Sequence, residues 1–185
     1  MSAILRKVVE EDLEMIMKWR ISSEVTKYMY SDPELTIEKQ RKWYKEIMEN
    51  QQFEKYWVIQ LDSGVPVGLI SINNIDYVNQ HASWAYYLGN IEAKGKGLAR
   101  ILECNIYDYA FNNLNLNKLW CEVLEFNEKV VQMHEKFGSK IEGKFKEHIY
   151  KNGEYHNIIR MAILNEEWDR KKRDTDYIKI SIEEY

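Results

Sequence analysis

The sequence predicts an α+β domain, with helices packed against a mixed sheet. Three observations carry this. Residues 56–89 hold three strand-like segments set apart by turns. Residues 81–137 then read strand, helix, strand, helix. Finally, Asn152-Gly153 lies between two strand-like runs, which is the chemistry of a two-residue type I′ hairpin.

Taken in order, residues 10–20 predict a helix with Leu13, Ile16, Met17 and Trp19 or Arg20 near one face. Residues 36–50 predict a second, N-capped by Thr36, although Lys39 stands where a capping box wants an acid. Between them, 21–35 is loop-rich. Tyr56–Leu61 is a strand, Asp62-Ser63-Gly64 a turn and Val65–Ile75 a strand. His81–Gly89 is a strand with Ala82, Trp84, Tyr86 and Leu88 on one face. Gly97–Asn112 is a long helix and Lys118–Leu124 a strand. Asn127–Phe137 is a short helix capped by Asn127 and closed by Gly138. Ile141–Lys151 and Glu154–Leu164 are the hairpin strands. Pairing Lys151 with Glu154 sets His148 opposite Asn157 and His156 opposite Ile149. One domain spans 1–165. Residues 166–185 form a charged tail whose run Arg170-Lys171-Lys172-Arg173 is solvated.

Composition narrows the function. Of 185 residues, 45% are hydrophobic and 30% charged, enough apolar material for a core. The 26 Lys+Arg against 30 Asp+Glu give a net charge of -4, which draws the protein to neither nucleic acid nor an anionic membrane. No apolar run approaches the roughly 20 residues of a bilayer span. Acids at Glu10, Glu11, Asp12 and Glu14 stand where a signal peptide is apolar, so a cytoplasmic location is expected. Cys104 and Cys121 make no disulfide framework. The four histidines have no metal-ligand spacing, and no metal is expected.

The stretch from Tyr86 to Arg100 carries chemistry. It runs strand, short loop, Gly95-Lys96-Gly97, helix. Glycines let a ligand approach the backbone, and the unpaired N–H groups at a helix start attract anions. Lys94, Lys96 and Arg100 add positive charge, which suits a pyrophosphate. It is no Walker loop, because Gly97 stands where the hydroxyl residue belongs. It is no dinucleotide fingerprint, because Arg100 replaces the third glycine. On the glycines alone, an anion site and a plain turn into a helix are both open.

A second stretch, Asn127 to Gly138, follows. Seven helical steps return to within roughly 20° of the start, so Asn127 and His134 share a face. On that face His134 is either a packed, satisfied histidine or a functional one. Together the two stretches resemble motifs A and B of the GNAT superfamily of acetyl-CoA-dependent N-acetyltransferases. Glu92-Ala93-Lys94-Gly95-Lys96-Gly97 matches Gln/Arg-x-x-Gly-x-Gly/Ala with an acid in first place. In the second motif Val130 stands for Ala, His134 for Tyr and Ser139 for Phe. The resemblance covers residues 3–165.

That resemblance implies a GNAT fold: a mixed, mostly antiparallel sheet splayed between its strands 4 and 5, with helices on both faces. Acetyl-CoA would lie in the splay as co-substrate, held by Leu88, Lys94, Gly95, Lys96, Gly97, Leu98, Ala99, Arg100 and Asn127. His134, in the family's tyrosine position, would supply a proton or hydrogen bond to the leaving thiolate, and Glu122 would receive the amine's proton through water. A backbone N–H near Leu88 would face the oxyanion. Lys18-Trp19-Arg20, Glu24 to Met29 and Lys42-Trp43-Tyr44 resemble the family's nucleotide-sugar N-acetyltransferases of the pseudaminic acid route, which act on a UDP-linked 4-amino-4,6-dideoxy sugar. Arg20, Tyr28, Met29 and Tyr30 would then hold that acceptor. Glu142-Gly143, Asn152 to Tyr155 and Met161 resemble ribosomal-protein and spermidine acetyltransferases, so those acceptors stay open, as does a non-catalytic acetyl-CoA-binding module. The expected partner is a small-molecule amine, and a homodimer is left open.

Overall fold

The computed structural model describes residues 2–93 and 97–185. Seven strands form one sheet in the order β1-β2-β3-β4-β5-β7-β6. They are β1 (Ala3–Lys7), β2 (Lys55–Leu61), β3 (Pro66–Asp76), β4 (His81–Leu88), β5 (Lys118–Leu124), β6 (Lys140–Lys151) and β7 (Glu154–Leu164). The β4–β5 pairing is parallel and the others are antiparallel. A parallel pair needs a crossover, which α4 (Leu98–Asp108) supplies. Strands β4 and β5 pair at His81↔Lys118, Ala82↔Leu119 and Ser83↔Trp120, and there the pairing ends. Beyond it the sheet is splayed.

Both faces of the sheet are covered, so β2 and β3 read as continuous apolar runs rather than alternating ones. On one face, α1 (Leu13–Ile21) and α3 (Ile37–Glu49) lie over Val58 and Leu69, burying Leu13, Ile16 and Trp19. Over the other lie α4, α5 (Glu128–Lys136) and α6 (Asn165–Lys171), covering Trp57, Ile59, Ile70 and Ile72. Trp57, Trp168 and Tyr107 are the largest fully buried side chains. Burying a large apolar side chain is worth about 1.5–3 kcal/mol.

The predicted elements stand where the patterns put them, with four differences. Strand β1 gave no local signal; it is defined by its partner, with Leu5 opposite Ile59. A short helix, α2 (Ser23–Thr26), interrupts the loop before α3. The helix after Gly97 widens into a π turn over Tyr109–Asn113. In the hairpin, Asn152 (φ 53) and Gly153 (φ 83) make the expected left-handed turn, and Ile149 faces His156. His148 does not face Asn157, because a bulge between Phe145 and Ile149 shifts the register. Glu147, at φ 50, donates its N–H to Asn157 Oδ1 at 2.7 Å.

Residues 166–185, set apart above as a charged tail, fold back onto the domain. Trp168 is fully buried and donates to Asp108 Oδ1 at 2.9 Å. Tyr177 donates to Asp108 Oδ2 at 2.5 Å, and Lys179 pairs with the same carboxylate. Burial alone would raise the Asp108 pKa; these donors outweigh it and hold the group below its ordinary value. Ile182 bridges Leu5 in parallel, and Trp57 Nε1 donates to the Glu183 carbonyl at 2.8 Å. Within this packed segment Arg170, Lys171 and Arg173 stay exposed, while Lys172 is half-buried.

Gly89, just past β4, tests the α1 packing. A Cβ there would stand 2.1 Å from Trp19 Cγ. Gly89→Ala is expected to cost about 1–3 kcal/mol through overpacking. A urea midpoint unchanged from wild type would show that the Trp19 ring has room to retreat.

Candidate active site

The start of α4 is where the sequence places an anion site. Gly97 is its N-cap at φ 68, a left-handed conformation that costs glycine little, and a Cβ there would meet nothing within 4 Å. Among the described residues no side chain caps this end, so its first N–H groups face the open side of Gly97. Leu98 is buried and anchors the helix, Ala99 is half-buried, and Arg100 is exposed. Arg100 Nη1 donates to the Asp176 carbonyl at 3.3 Å, which ties this end to the refolded C-terminal segment. The expected ligands Lys94, Gly95 and Lys96 lie outside the described residues. Asn127 is the N-cap of α5 but makes no side-chain capping bond among the described residues. Leu88 ends β4 at the far side of the splay.

The register sorts the diverging strands by face. Ser83 and Trp120 are parallel partners, so Ser83, Ala85, Tyr87, Trp120 and Glu122 point one way, and Trp84, Tyr86, Cys121 and Val123 the other. His134 lies on the second face, its ring 5.3 Å from Trp84 in a T-shaped contact, with Cys121 beside it. It is buried, and its Nδ1 is 2.9 Å from Glu103 Oε1 on α4. Burial disfavours the charged ring, but the Cys121 sulfur and the Glu103 carboxylate outweigh it and push the His134 pKa up to about 10.

Glu122 faces the other side of β5. It stands directly opposite Arg160 on β7, whose Nε and Nη2 lie 2.9 and 2.5 Å from its Oε1. The guanidinium also covers the Trp120 ring at 3.7 Å. Tyr30 donates to the other Glu122 oxygen at 2.7 Å, and burial together with that carboxylate raises the phenol's pKa. Glu122 is thus bonded on both oxygens. Nearby, a cavity of about 360 Å³ opens between α1, α3 and the sheet, lined among others by Arg20, Met29, Lys39, Ser71, Ala85 and Tyr87. Arg20 donates to the Met29 sulfur, and the buried Tyr87 hydroxyl has no partner among the described residues. The four residues expected to hold the acceptor therefore divide. Arg20 and Met29 line the cavity, and Tyr30 sits on Glu122. Tyr28 lies apart, beside Phe126 and Lys27.

Lys151 organises this side. It is buried at the end of β6, and its ammonium reaches the Thr26 carbonyl at 2.5 Å, the Met29 carbonyl at 3.0 Å and Asp32 Oδ1 at 3.1 Å. All three donors are used. The same contact holds the Asp32 carboxyl below its ordinary range.

A family model described as an acetyltransferase (GNAT) domain matches residues 3–140. The chain belongs to the GNAT acetyltransferases. It is 32% identical over 168 residues to the spermidine N(1)-acetyltransferase of Escherichia coli strain K12, covering 90% of this chain and 88% of that protein. The crystal structure of spermidine N-acetyltransferase from Vibrio cholerae in complex with CoA and spermine superposes with a TM-score of 0.84 at 27% identity, covering 90% of this chain and 97% of that one. A more distant relative, acetyltransferase PseH of Campylobacter jejuni, is 25% identical over 125 residues, 68% of this chain and 74% of its own. The splayed fold, the enzyme class and acetyl-CoA as acyl donor stand on this kinship. Among the described residues no helix is long and apolar enough to cross a membrane, and no three His, Cys, Asp or Glu side chains could hold a metal ion.

Several residues of this GNAT acetyltransferase escaped the sequence. Lys151 beside the hairpin turn carries no signal, because its partners lie 122 and 125 residues away. Arg160 is identified only by its register with Glu122. Glu103 had a signal: an acid between Leu102 and Cys104 in a helix otherwise apolar on that stretch. Lys151→Met is expected to loosen residues 26–32 and raise the acceptor KM about tenfold, the scale of one charge-assisted hydrogen bond, with the acetyl-CoA KM unchanged. Equal changes in both constants would mean that Lys151 supports the whole fold instead.

Proposed function

We propose that the protein acetylates the primary amine of a small molecule across the splay, with His134 as the acid on one face of β5 and the acceptor on the other. The observation that carries this is the sorting of side chains by face where β4 and β5 part. His134 and Cys121 lie on one side; Tyr30, Glu122, Arg20 and Met29 lie on the other. Acetyl-CoA, when bound, supplies an acyl group activated as a thioester. The N–H groups at Gly97 to Arg100 would hold its pyrophosphate, with Lys94, Gly95 and Lys96 proposed from the motif. Asn127 and Leu88 would line its path, and a backbone N–H near Leu88 would face the developing oxyanion, worth roughly 3–4 kcal/mol. Holding both reactants in line supplies much of the remaining rate. Glu122, committed to Arg160 and Tyr30, positions Tyr30, and the amine's proton leaves to water.

Two acceptors have support. Kinship with spermidine acetyltransferases over 90% of the chain favours a polyamine. The cavity favours an amine on an anionic or neutral body, such as a UDP-linked amino sugar. Arg20 and Lys39 are cations there, and none of the described lining residues is a carboxylate. Thiol release measured with acetyl-CoA and each acceptor decides between them. If kcat/KM for spermidine exceeds that for a UDP-4-amino sugar tenfold or more, the first reading holds. The reverse ratio, with Arg20→Ala raising the sugar's KM alone, establishes the second. No release with any amine would defeat both.

His134→Gln keeps an N–H toward Glu103 and has no acid to give; His134→Phe would strand the buried carboxylate. With His134→Gln, kcat is expected to fall about 10²-fold at saturating acetyl-CoA. A folded variant with wild-type kcat would make His134 a packing residue.

A further inference from the structure

Glu103 is the most costly side chain in the molecule to explain by packing. It has no exposed surface, and it lies mid-helix on α4 with buried residues on either side. Taking a carboxylate out of water is expensive unless donors replace the water. Its Oε1 has two partners: the Tyr107 hydroxyl at 2.5 Å, itself 2.8 Å from Ser139 Oγ, and His134 Nδ1 at 2.9 Å. Its Oε2 is buried with no partner among the described residues. Replacing Glu103 by an apolar residue would relieve that cost, so its presence on His134 Nδ1 points to work done through His134.

We infer that Glu103 is a positioning residue for acetyl transfer: its buried carboxylate fixes a hydrogen on His134 Nδ1, so the imidazole serves as acid only as the imidazolium, through Nε2. This rests on the reading of His134 as the thiol-side acid. Glu103 Oε1 already accepts from the Tyr107 hydroxyl, so it stands as an acceptor and the hydrogen shared with Nδ1 belongs to the ring. The neutral ring then has no hydrogen on Nε2, and donation by a neutral imidazole is ruled out. Nδ1 is turned toward α4, so Nε2 is turned away from it. As the new carbon–nitrogen bond forms and the carbon–sulfur bond breaks, the electron pair of that bond stays on sulfur. There it takes the Nε2 proton. His134 is left neutral, with Nδ1–H still on Glu103, and water restores the proton.

The groups facing the ring are few. Among the described residues, Glu103 approaches from α4 with Tyr107 on the same carboxylate, Cys121 from β5, and Trp84 from β4, on the face where Tyr86 also lies. Glu103 is the carboxylate among them. Burial opposes the charged ring, and Cys121 and Glu103 override it. The sign follows directly: the acid form is populated below the raised pKa, so activity falls as pH rises through it.

The first test needs no turnover. In ¹⁵N-histidine-labelled wild-type protein, both His134 nitrogens are expected to be protonated at pH 7, and the alkaline form to keep its hydrogen on Nδ1. A ring that is neutral at pH 7 with its hydrogen on Nε2 overturns the inference. The second is kcat against pH for Glu103→Gln, whose amide oxygen still accepts from both donors. The alkaline limb is expected to move down by at least one pH unit, so that kcat falls about tenfold at pH values above both limbs, with the acetyl-CoA KM unchanged. In a His134→Tyr background the same substitution is expected to leave the limb where it is. An unmoved limb in the wild-type background, or an equal shift in the tyrosine background, overturns the inference. If His134→Gln keeps wild-type kcat, the acid role of His134 falls by itself; the nitrogen titration judges Glu103 independently. If Glu103→Gln fails to fold, that titration decides alone.

Discussion

Everything at the centre of this enzyme depends on two parallel strands that hydrogen-bond briefly and then part. A backbone N–H or C=O that leaves a ladder inside a protein must find another partner. Pairing of β4 with β5 stops at Ser83↔Trp120, while each strand stays anchored on its outer side, β4 by β3 and β5 by β7. The gap is therefore held open by the sheet itself. It presents polar backbone where an acyl donor rich in amides and phosphates can use it, and the bare start of α4 stands at the end of the crossover that the parallel pair requires.

The charged groups around the gap are organised by pairing, and differently on its two sides. On the Glu122 face, Glu122, Arg160 and Tyr30 form contacts partly open to water, and the buried Lys151 holds a loop; isolated surface pairs contribute little stability, but here they fix where a loop lies. On the other face, Glu103 is fully buried and His134 nearly so, and breaking such a pair is costly.

Much of the fold was legible because its signals are local. Strand-like runs set apart by turns gave β2 and β3, alternating apolar residues gave β4, Asn152-Gly153 gave the hairpin, and the double glycine gave the start of α4. Strand β1 and the segment 166–185 were not legible. Their contacts, Leu5 with Ile182 and Trp57 with Glu183, join residues far apart in the chain, and nothing in either stretch announces the other. The site was half legible. His134 and Arg20 were singled out as candidates by motif and resemblance, whereas the partners of Lys151, Arg160 and Glu103 are brought near only by the folded chain. His148 shows the limit of register arithmetic, since one bulge in β6 was enough to move it off Asn157.

Strand β5 has a consequence for how such an enzyme diversifies. In the proposed arrangement its odd positions, Cys121 and Val123, belong to the side of His134 and the acyl donor, and its even positions, Trp120 and Glu122, to the side of the acceptor. Neighbouring codons thus answer to different selection pressures. Changes at Trp120, Glu122 and the residues they touch can alter which amine is taken without disturbing the donor chemistry one residue away. The pleat makes acceptor preference a separable trait, open to drift or laboratory evolution while the acyl-donor half is inherited intact.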